Sequence, residues 1–195
     1  RMHARRKLAT AHAYPEGGEA FARFEEAFPY VETTDQTEAI RVVLDDLQSG
    51  EPMDRLIVGD VGYGKTEVAM RAAFRVVLGG HQVLLLVPTT VLAYQHFGTL
   101  RRRMDEFGVN VAMLSRFVDG VASREVIAKL ASGGVDVVVA TTSALGRNVR
   151  FRKLGLVIVD EEHRFGTKQK EEVRRIAAGV HALALSATPI PRSLH

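Results

Sequence analysis

From Gln36 onward, short apolar runs alternate with longer stretches in which apolar residues recur every third or fourth position. The short runs are "RLIV" (55–58), "QVLLLV" (82–87), "VNVAML" (109–114), "VDVVVA" (135–140), "LGLVIVD" (154–160) and "HALALS" (181–186). They are too short for helices, and most are apolar at successive positions, as strands buried on both faces are. The longer stretches are "QTEAIRVVLDDLQSG" (36–50), "KTEVAMRAAFRVVLGG" (65–80), "VLAYQHFGTLRRRMDEF" (91–107), "SREVIAKLASGG" (123–134) and "KQKEEVRRIAAG" (168–179). They carry the helical period, and four of them close on glycine, the residue that ends helices most readily. Strand–helix alternation predicts an α/β fold with a mostly parallel central sheet covered on both faces.

Residues 1–30 have a different texture: a basic opening, a Pro-Gly-Gly break at 15–18, and a short helix-like piece from Glu19 to Ala27. This segment, 1–27, reads as a linker or the tail of a preceding element, outside the main core. The main domain is then expected over 28–195.

Composition changes this picture little. At 195 residues, 46% hydrophobic and 25% charged, the chain has the make-up of an ordinary globular domain with a sizeable core. It has no cysteine, which excludes disulfides and thiolate metal sites and suits a reducing, cytoplasmic setting. No apolar run is long enough to span a bilayer, and the start is not a signal peptide. The formal charge of +3 is unevenly spread: residues 1–100 hold 10 basic and 13 acidic side chains, residues 101–195 hold 16 and 10. The second half is thus +6 (16 minus 10), a modest pull toward phosphates that a solvated basic face explains as well.

The chemistry concentrates in two words. "GDVGYGKT" satisfies G-x-x-x-x-G-K-[ST], with Gly59, Gly62, Gly64, Lys65 and Thr66, and it stands between a strand and a helix as a phosphate-binding loop must. The glycines let backbone N–H groups converge on an anion at the helix's positive end. Lys65 is expected on the outer phosphates of ATP and Thr66 on Mg²⁺. The competing reading is a glycine-rich turn that only closes the strand. "LVIVDEEH" ends a strand on Asp160 and Glu161, where α/β folds place ligands. Asp160 is expected to hold Mg²⁺, and Glu161 to orient and deprotonate the attacking water. Alone, the acidic pair would read as a helix start.

With these words in place the chain resembles the superfamily 2 helicases and translocases, and among them the first RecA-like motor domain of the bacterial transcription-repair coupling factor (Mfd) family. The resemblance rests on "FPYVETTDQTEAI", "PMDRLIVGDVGYGKTEVAMRAAF", "VLLLVPTTVLAYQHF", "LSRF", "LGLVIVDEEHRFG" and "LSATPIPRSLH", which run from Phe28 to His195. The branched-DNA helicase RecG shares much of this set. The resemblance implies a RecA-like P-loop NTPase, a three-layer sandwich that uses ATP and Mg²⁺. It implies adenine reading by Gln36 with Phe28 or Tyr30 beside the base, and coupling of the nucleotide state to DNA grip through Ser186 and Thr188. It implies phosphate contacts from Thr89, Thr90 and Gln95, with Arg116 and Thr141 at the same DNA-binding edge. Taken from the residues alone, Gln36 reads more often as solvated surface than as a base reader, and Thr89-Thr90 can be a helix cap pair and Ser186 with Thr188 plain turn residues.

The run Arg101-Arg102-Arg103, with Arg147 and Arg150, adds to the basic field or forms a solvated helix face. Thr142 stands where the family carries histidine, and Thr167 where it carries an apolar residue. What the resemblance implies for function is a motor that moves on double-stranded DNA, dislodges stalled RNA polymerase and recruits nucleotide excision repair proteins. Two alternatives accompany it: a RecG-like branched-DNA helicase, and a non-catalytic nucleotide- or DNA-binding module. A second motor domain with its arginines is not seen after "SATPIPRSLH", so the expectation for this chain alone is half a motor, weak or inert in hydrolysis. His96 and His163 are not a metal pair, and the signature motif of a transporter ATPase is not found.

Overall fold

A computed structural model of the chain describes residues 10–60, 64–146 and 148–187. Its six strands are β1 (Asp54–Val58), β2 (Gln82–Val87), β3 (Val111–Leu114), β4 (Val137–Thr141), β5 (Leu154–Asp160) and β6 (His181–Ser186). They form one sheet in the order β1-β6-β5-β2-β4-β3, and every pairing is parallel. The described helices are α1 (Gly18–Glu26), α2 (Thr34–Gln48), α3 (Lys65–Leu78), α4 (Thr90–Met104), α5 (Gly120–Ser132) and α6 (Thr167–Ile176). The expected α/β architecture is therefore the observed one, and the bounds of β2, β5 and β6 coincide with the apolar runs.

The continuous apolarity of the central strands has a direct structural cause. Side chains alternate across a strand, so a strand covered on both faces needs apolar residues at odd and even positions alike. Val83, Leu85 and Val87 join Val137, Val139, Leu156, Ile158, Leu183 and Leu185 in a core shared with α1, α2, α3 and α4. Leu84, Leu86, Val138, Ala140, Val157 and Val159 point the other way, into a second core closed by α5 and α6.

Residues 14–24 correct the sequence expectation that this part of the chain lies outside the core. Tyr14, Phe21 and Phe24 are buried in the larger core. Phe24 stacks on Phe74 of α3 at 4.1 Å between ring centroids, and Phe107 meets both rings edge-on. A nine-residue helix is marginal in isolation, so α1 exists because packing against α3 holds it. Phe21 and Phe24, spaced i and i+3, were the signal for that buried face.

Residues 11–14 then run under the N-terminal edge of the sheet. Ala11 N–H donates to Gly50 O at 3.0 Å and Tyr14 N–H to Leu47 O at 2.8 Å. His181, fully buried at the start of β6, receives Met53 N–H on Nδ1 at 2.9 Å and gives its Nε2–H to His12 O at 2.8 Å. Tyr14 lies over Gly155, where a Cβ would stand 2.2 Å from the Tyr14 hydroxyl oxygen. Burial pushes the Tyr14 phenol up to about 12.

Candidate functional site

Three neighbouring strands bring the motif words together. Val58 at the end of β1 pairs with Ser186 of β6, and Leu185 of β6 pairs with Asp160 of β5. The ladder continues past the strand ends: Gly59 N–H donates to Ser186 O at 3.1 Å, and Glu161 N–H donates to Leu185 O at 3.0 Å. Phosphate-loop entry, carboxylate pair and Ser186 thus lie side by side on the C-terminal edge, although 127 positions separate Gly59 from Ser186. Gly62 and Thr188 lie outside the described residues, as do Tyr63 and Arg147.

Gly64 is required twice over. Its φ is 76°, in the left-handed region, and a Cβ there would stand 2.1 Å from Gln36 Nε2. Gln36 is 6% exposed, which decides against the surface reading. Its side-chain oxygen accepts from Thr33 N–H while Thr33 Oγ1 accepts from Gln36 N–H, a reciprocal cap on α2. Its amide Nε2 donates to Gly64 O at 3.3 Å, tying α2 to the loop. Lys65 folds back on that loop, its Nζ donating to Gly59 O at 2.5 Å and Asp60 O at 2.9 Å.

Asp160 is nearly buried, and its Oδ2 accepts from His96 Nε2–H at 2.6 Å. Glu161 is the one non-glycine residue with positive φ among the described residues, at 55°. Such a conformation costs of order 1 kcal/mol for a residue with a Cβ and clusters at functional sites. Its carboxylate lies 3.2 Å from His163 Nε2. Among the described residues no three His, Cys, Asp or Glu side chains gather as a metal cluster. The donor set of one hydroxyl, Thr66, and one carboxylate, Asp160, suits a hard cation that takes its remaining ligands from phosphate and water.

A cleft of about 890 Å³ opens beside the loop, lined among others by Phe28, Tyr30, Gln36, Thr66, Gln95 and His96. Phe28 is partly buried, with Tyr30 edge-on at 5.6 Å and Arg71 over its ring at 5.5 Å. Beneath it is an ion network that the sequence reading missed. Glu67, 2% exposed, accepts from Arg71 Nε at 3.0 Å and Arg103 Nη2 at 2.8 Å, and Arg71 Nη2 donates to Glu32 at 2.5 Å. Burial works against the Arg71 charge, but hydrogen bonds to Glu32 and Glu67 outweigh it and hold the guanidinium above its ordinary value. Arg71 in turn keeps the Glu32 carboxyl below its ordinary range.

The three arginines of α4 therefore divide. Arg103 also donates to Phe24 O at 2.6 Å and lies over the Phe24 ring, so it is neither a solvated residue nor part of an outward basic field. Arg101 and Arg102 are exposed. The Arg101-Arg102-Arg103 run did not reveal this split; the i, i+7 spacing of His96 and Arg103, which reach Asp160 and Glu67, carries it.

The other residues expected at a DNA edge are placed variously. Thr89 caps α4, its Oγ1 accepting from Leu92 N–H at 3.2 Å, and Thr90 opens the helix partly exposed. Arg116 is exposed in the turn after β3, and Arg150 is exposed. Gln95 lines the large cleft beside Gly64. Thr141 ends β4 buried, with its hydroxyl 3.2 Å from Ser143 Oγ, and Thr142 Oγ1 accepts from Gln169 Nε2 at 2.7 Å. No described helix is long and apolar enough to cross a membrane.

Comparison with known proteins agrees with this layout. Residues 33–195 match the DEAD/DEAH box helicase family. The chain is similar to the transcription-repair-coupling factors of Borreliella burgdorferi (47% identity, 100% of this chain and 17% of the relative) and Bacillus subtilis (47%, 100% and 17%). That of Myxococcus xanthus is 50% identical over 98% of this chain and 16% of the relative. The chain thus spans about one sixth of the length of these curated relatives. A solved structure of RecG bound to a three-way DNA junction superposes with a TM-score of 0.85 at 34% identity, over 98% of this chain and 26% of that one. With the phosphate loop and the carboxylate pair set on one edge of a parallel sheet, and with this match over most of its length, the chain belongs to the DEAD/DEAH box helicase family.

Proposed function

We propose that this chain is the first RecA-like motor domain of an ATP-driven double-stranded DNA translocase of the coupling-factor kind, one that dislodges stalled RNA polymerase and leads excision repair proteins to the lesion. The observation that carries the motor reading is the alignment of Gly59, Ser186 and Asp160 across β1, β6 and β5. The coupling-factor reading is supported by 47–50% identity to those factors, against 34% to the RecG structure.

In this reading ATP lies along the C-terminal edge. Gln36 meets the adenine with Phe28 beside its face, and the glycine loop with the start of α3 takes the phosphates. Lys65 exchanges the carbonyls of Gly59 and Asp60 for the outer phosphates, a charge-assisted pairing in place of two neutral ones. Thr66 and Asp160 hold Mg²⁺, which when bound screens the phosphate charge and orients the leaving group. Glu161, aimed by its left-handed backbone, orients the attacking water and accepts its proton. Ser186, next to Gly59 in the ladder, senses the state of the loop. Thr89, Thr90 and Arg116 present donors for backbone phosphates, which suits movement without regard to sequence.

The test is binding of a fluorescent ATP analogue by this chain and by Lys65→Ala, followed by competition between linear duplex and three-way-junction DNA. Affinity at least tenfold weaker in Lys65→Ala, with duplex bound as well as junction, is the expected result. Equal nucleotide affinity in both proteins overturns the motor reading, and a strong junction preference favours the RecG-like alternative.

A further inference from the structure

The two protein groups expected to hold the cation come from different elements, Thr66 from the first turn of α3 and Asp160 from the end of β5. A single helix, α4, is fastened to both. His96 donates from Nε2 to Asp160 Oδ2 at 2.6 Å. About two turns on, at i+7, Arg103 donates from Nη2 to Oε1 of Glu67, the neighbour of Thr66, at 2.8 Å. Residues seven apart lie on the same face of a helix, so one face of α4 grips the two halves of the site.

His96 is largely withdrawn from solvent. It is only 12% exposed, and the Asp160 side chain 13%. His96 lines both a small, mostly apolar space, with Met70, Leu100, Ile158 and Leu185, and the large cleft, with Thr66 and Gln36. A carboxylate can only accept, so at 2.6 Å the imidazole nitrogen facing it is the donor. Carboxylates that ligate cations are commonly oriented by such an outer partner, whose loss weakens metal affinity by about 10–100-fold.

We propose that His96 is a positioning residue of the cation site, fixing the plane of the Asp160 carboxylate from α4 so that the carboxylate and the Thr66 hydroxyl address one Mg²⁺. This rests on the nucleotide-binding reading above and adds to it a residue outside the motif words assigned to ATP. It also places a cation determinant on the helix that Thr89 caps, at the edge expected to meet DNA.

The test compares the affinity of a fluorescent ADP analogue in MgCl₂ and in EDTA for the wild-type chain, His96→Gln, His96→Asn and Lys65→Ala. Gln carries an amide nitrogen near the position of Nε2, whereas the Asn amide is too short to reach Asp160, so the two variants differ in reach and hardly in polarity. The expected result is that His96→Asn loses about tenfold or more in Mg²⁺ and nothing in EDTA. His96→Gln should keep most of the Mg²⁺ effect.

Equal Mg²⁺ effects in wild type and His96→Asn overturn the proposal. So does an affinity loss in His96→Asn that is the same in EDTA, because His96 would then merely shape the cleft. A wild-type chain that binds through Lys65 but shows no Mg²⁺ effect overturns the proposal and leaves the nucleotide reading standing. Wild type and Lys65→Ala binding alike removes both. Thermal unfolding of each variant confirms that folded proteins are compared.

Discussion

The two edges of the sheet hold their polar residues differently. At the N-terminal edge, every ring or amide nitrogen of His181 and Gln82 is committed. His181 bonds Met53 N–H and His12 O, and Gln82 donates to Leu130 O and Val135 O and accepts from Lys153 N–H. Burial without a partner costs a polar group about 1–3 kcal/mol, so saturation is what permits these residues there. At the C-terminal edge, the Lys65 ammonium rests on carbonyls of its own loop, and Glu161 is held in a left-handed backbone. One edge is closed and serves stability. The other holds a lysine on backbone carbonyls and a glutamate at positive φ, and it is the edge where the family words fall. Burial of a polar side chain does not by itself mark function; the nature of its partners does.

The contrast is sharpened most by His181→Ala. Removing the ring orphans Met53 N–H and His12 O and leaves a cavity, so a loss of about 3 kcal/mol in denaturant unfolding is expected, with nucleotide affinity unchanged. Burial holds the His181 imidazole below its ordinary 6.5, and burial acts in the same direction on His81. The unfolded chain therefore binds these protons more readily than the folded one. Their contribution is complete above 6.5 and is lost as pH falls below it, so stability should decline on acidification and decline less in the His181 variant. A pH profile of unfolding that is parallel in the two proteins would break this account of the closed edge.

A smaller effect separates neighbours on α4. Arg103→Ala removes two bonds to Glu67, the bond to Phe24 O and the ring contact, while Arg71 still serves Glu67. A cost of about 2 kcal/mol is expected, against less than about 0.5 for exposed Arg101→Ala. If DNA affinity responds to either, it should be to Arg101.

The smallest change goes the other way. Glu161→Gly relieves the left-handed strain and should stabilise the fold by up to about 1 kcal/mol while abolishing whatever ATP turnover the protein has. Calorimetry beside a phosphate-release assay checks both halves. A destabilised variant would mean that the Glu161 side chain supports the edge through its contact with His163 rather than serving chemistry.

The parts of the molecule that were legible in the sequence are those governed by local pattern. Continuous apolarity marked the doubly covered strands, and glycine placement marked several helix ends. "GDVGYGKT" and "LVIVDEEH" stood out because each word is complete within eight residues, and Gly59 and Asp160 do end on the same edge of the sheet. Gly64 was readable for the same reason.

What only the tertiary structure decided are pairings between residues far apart in the chain. Nothing near His96 announces Asp160, 64 positions away, and Arg103 in a run of three arginines looks no different from Arg101 until Glu67 and Phe24 come alongside. That residues 11–14 and the helix-like piece that forms α1 pack onto the core was not read, for a related reason. Their apolar residues are too few to announce a core and become one only against α3 and the floor of the sheet. Local pattern follows from each residue's own backbone and polarity, and so survives in one dimension. Which distant partner neutralises a buried charge, or covers a short apolar face, is set by how the crossovers stack the strands. That choice exists only once the chain has folded.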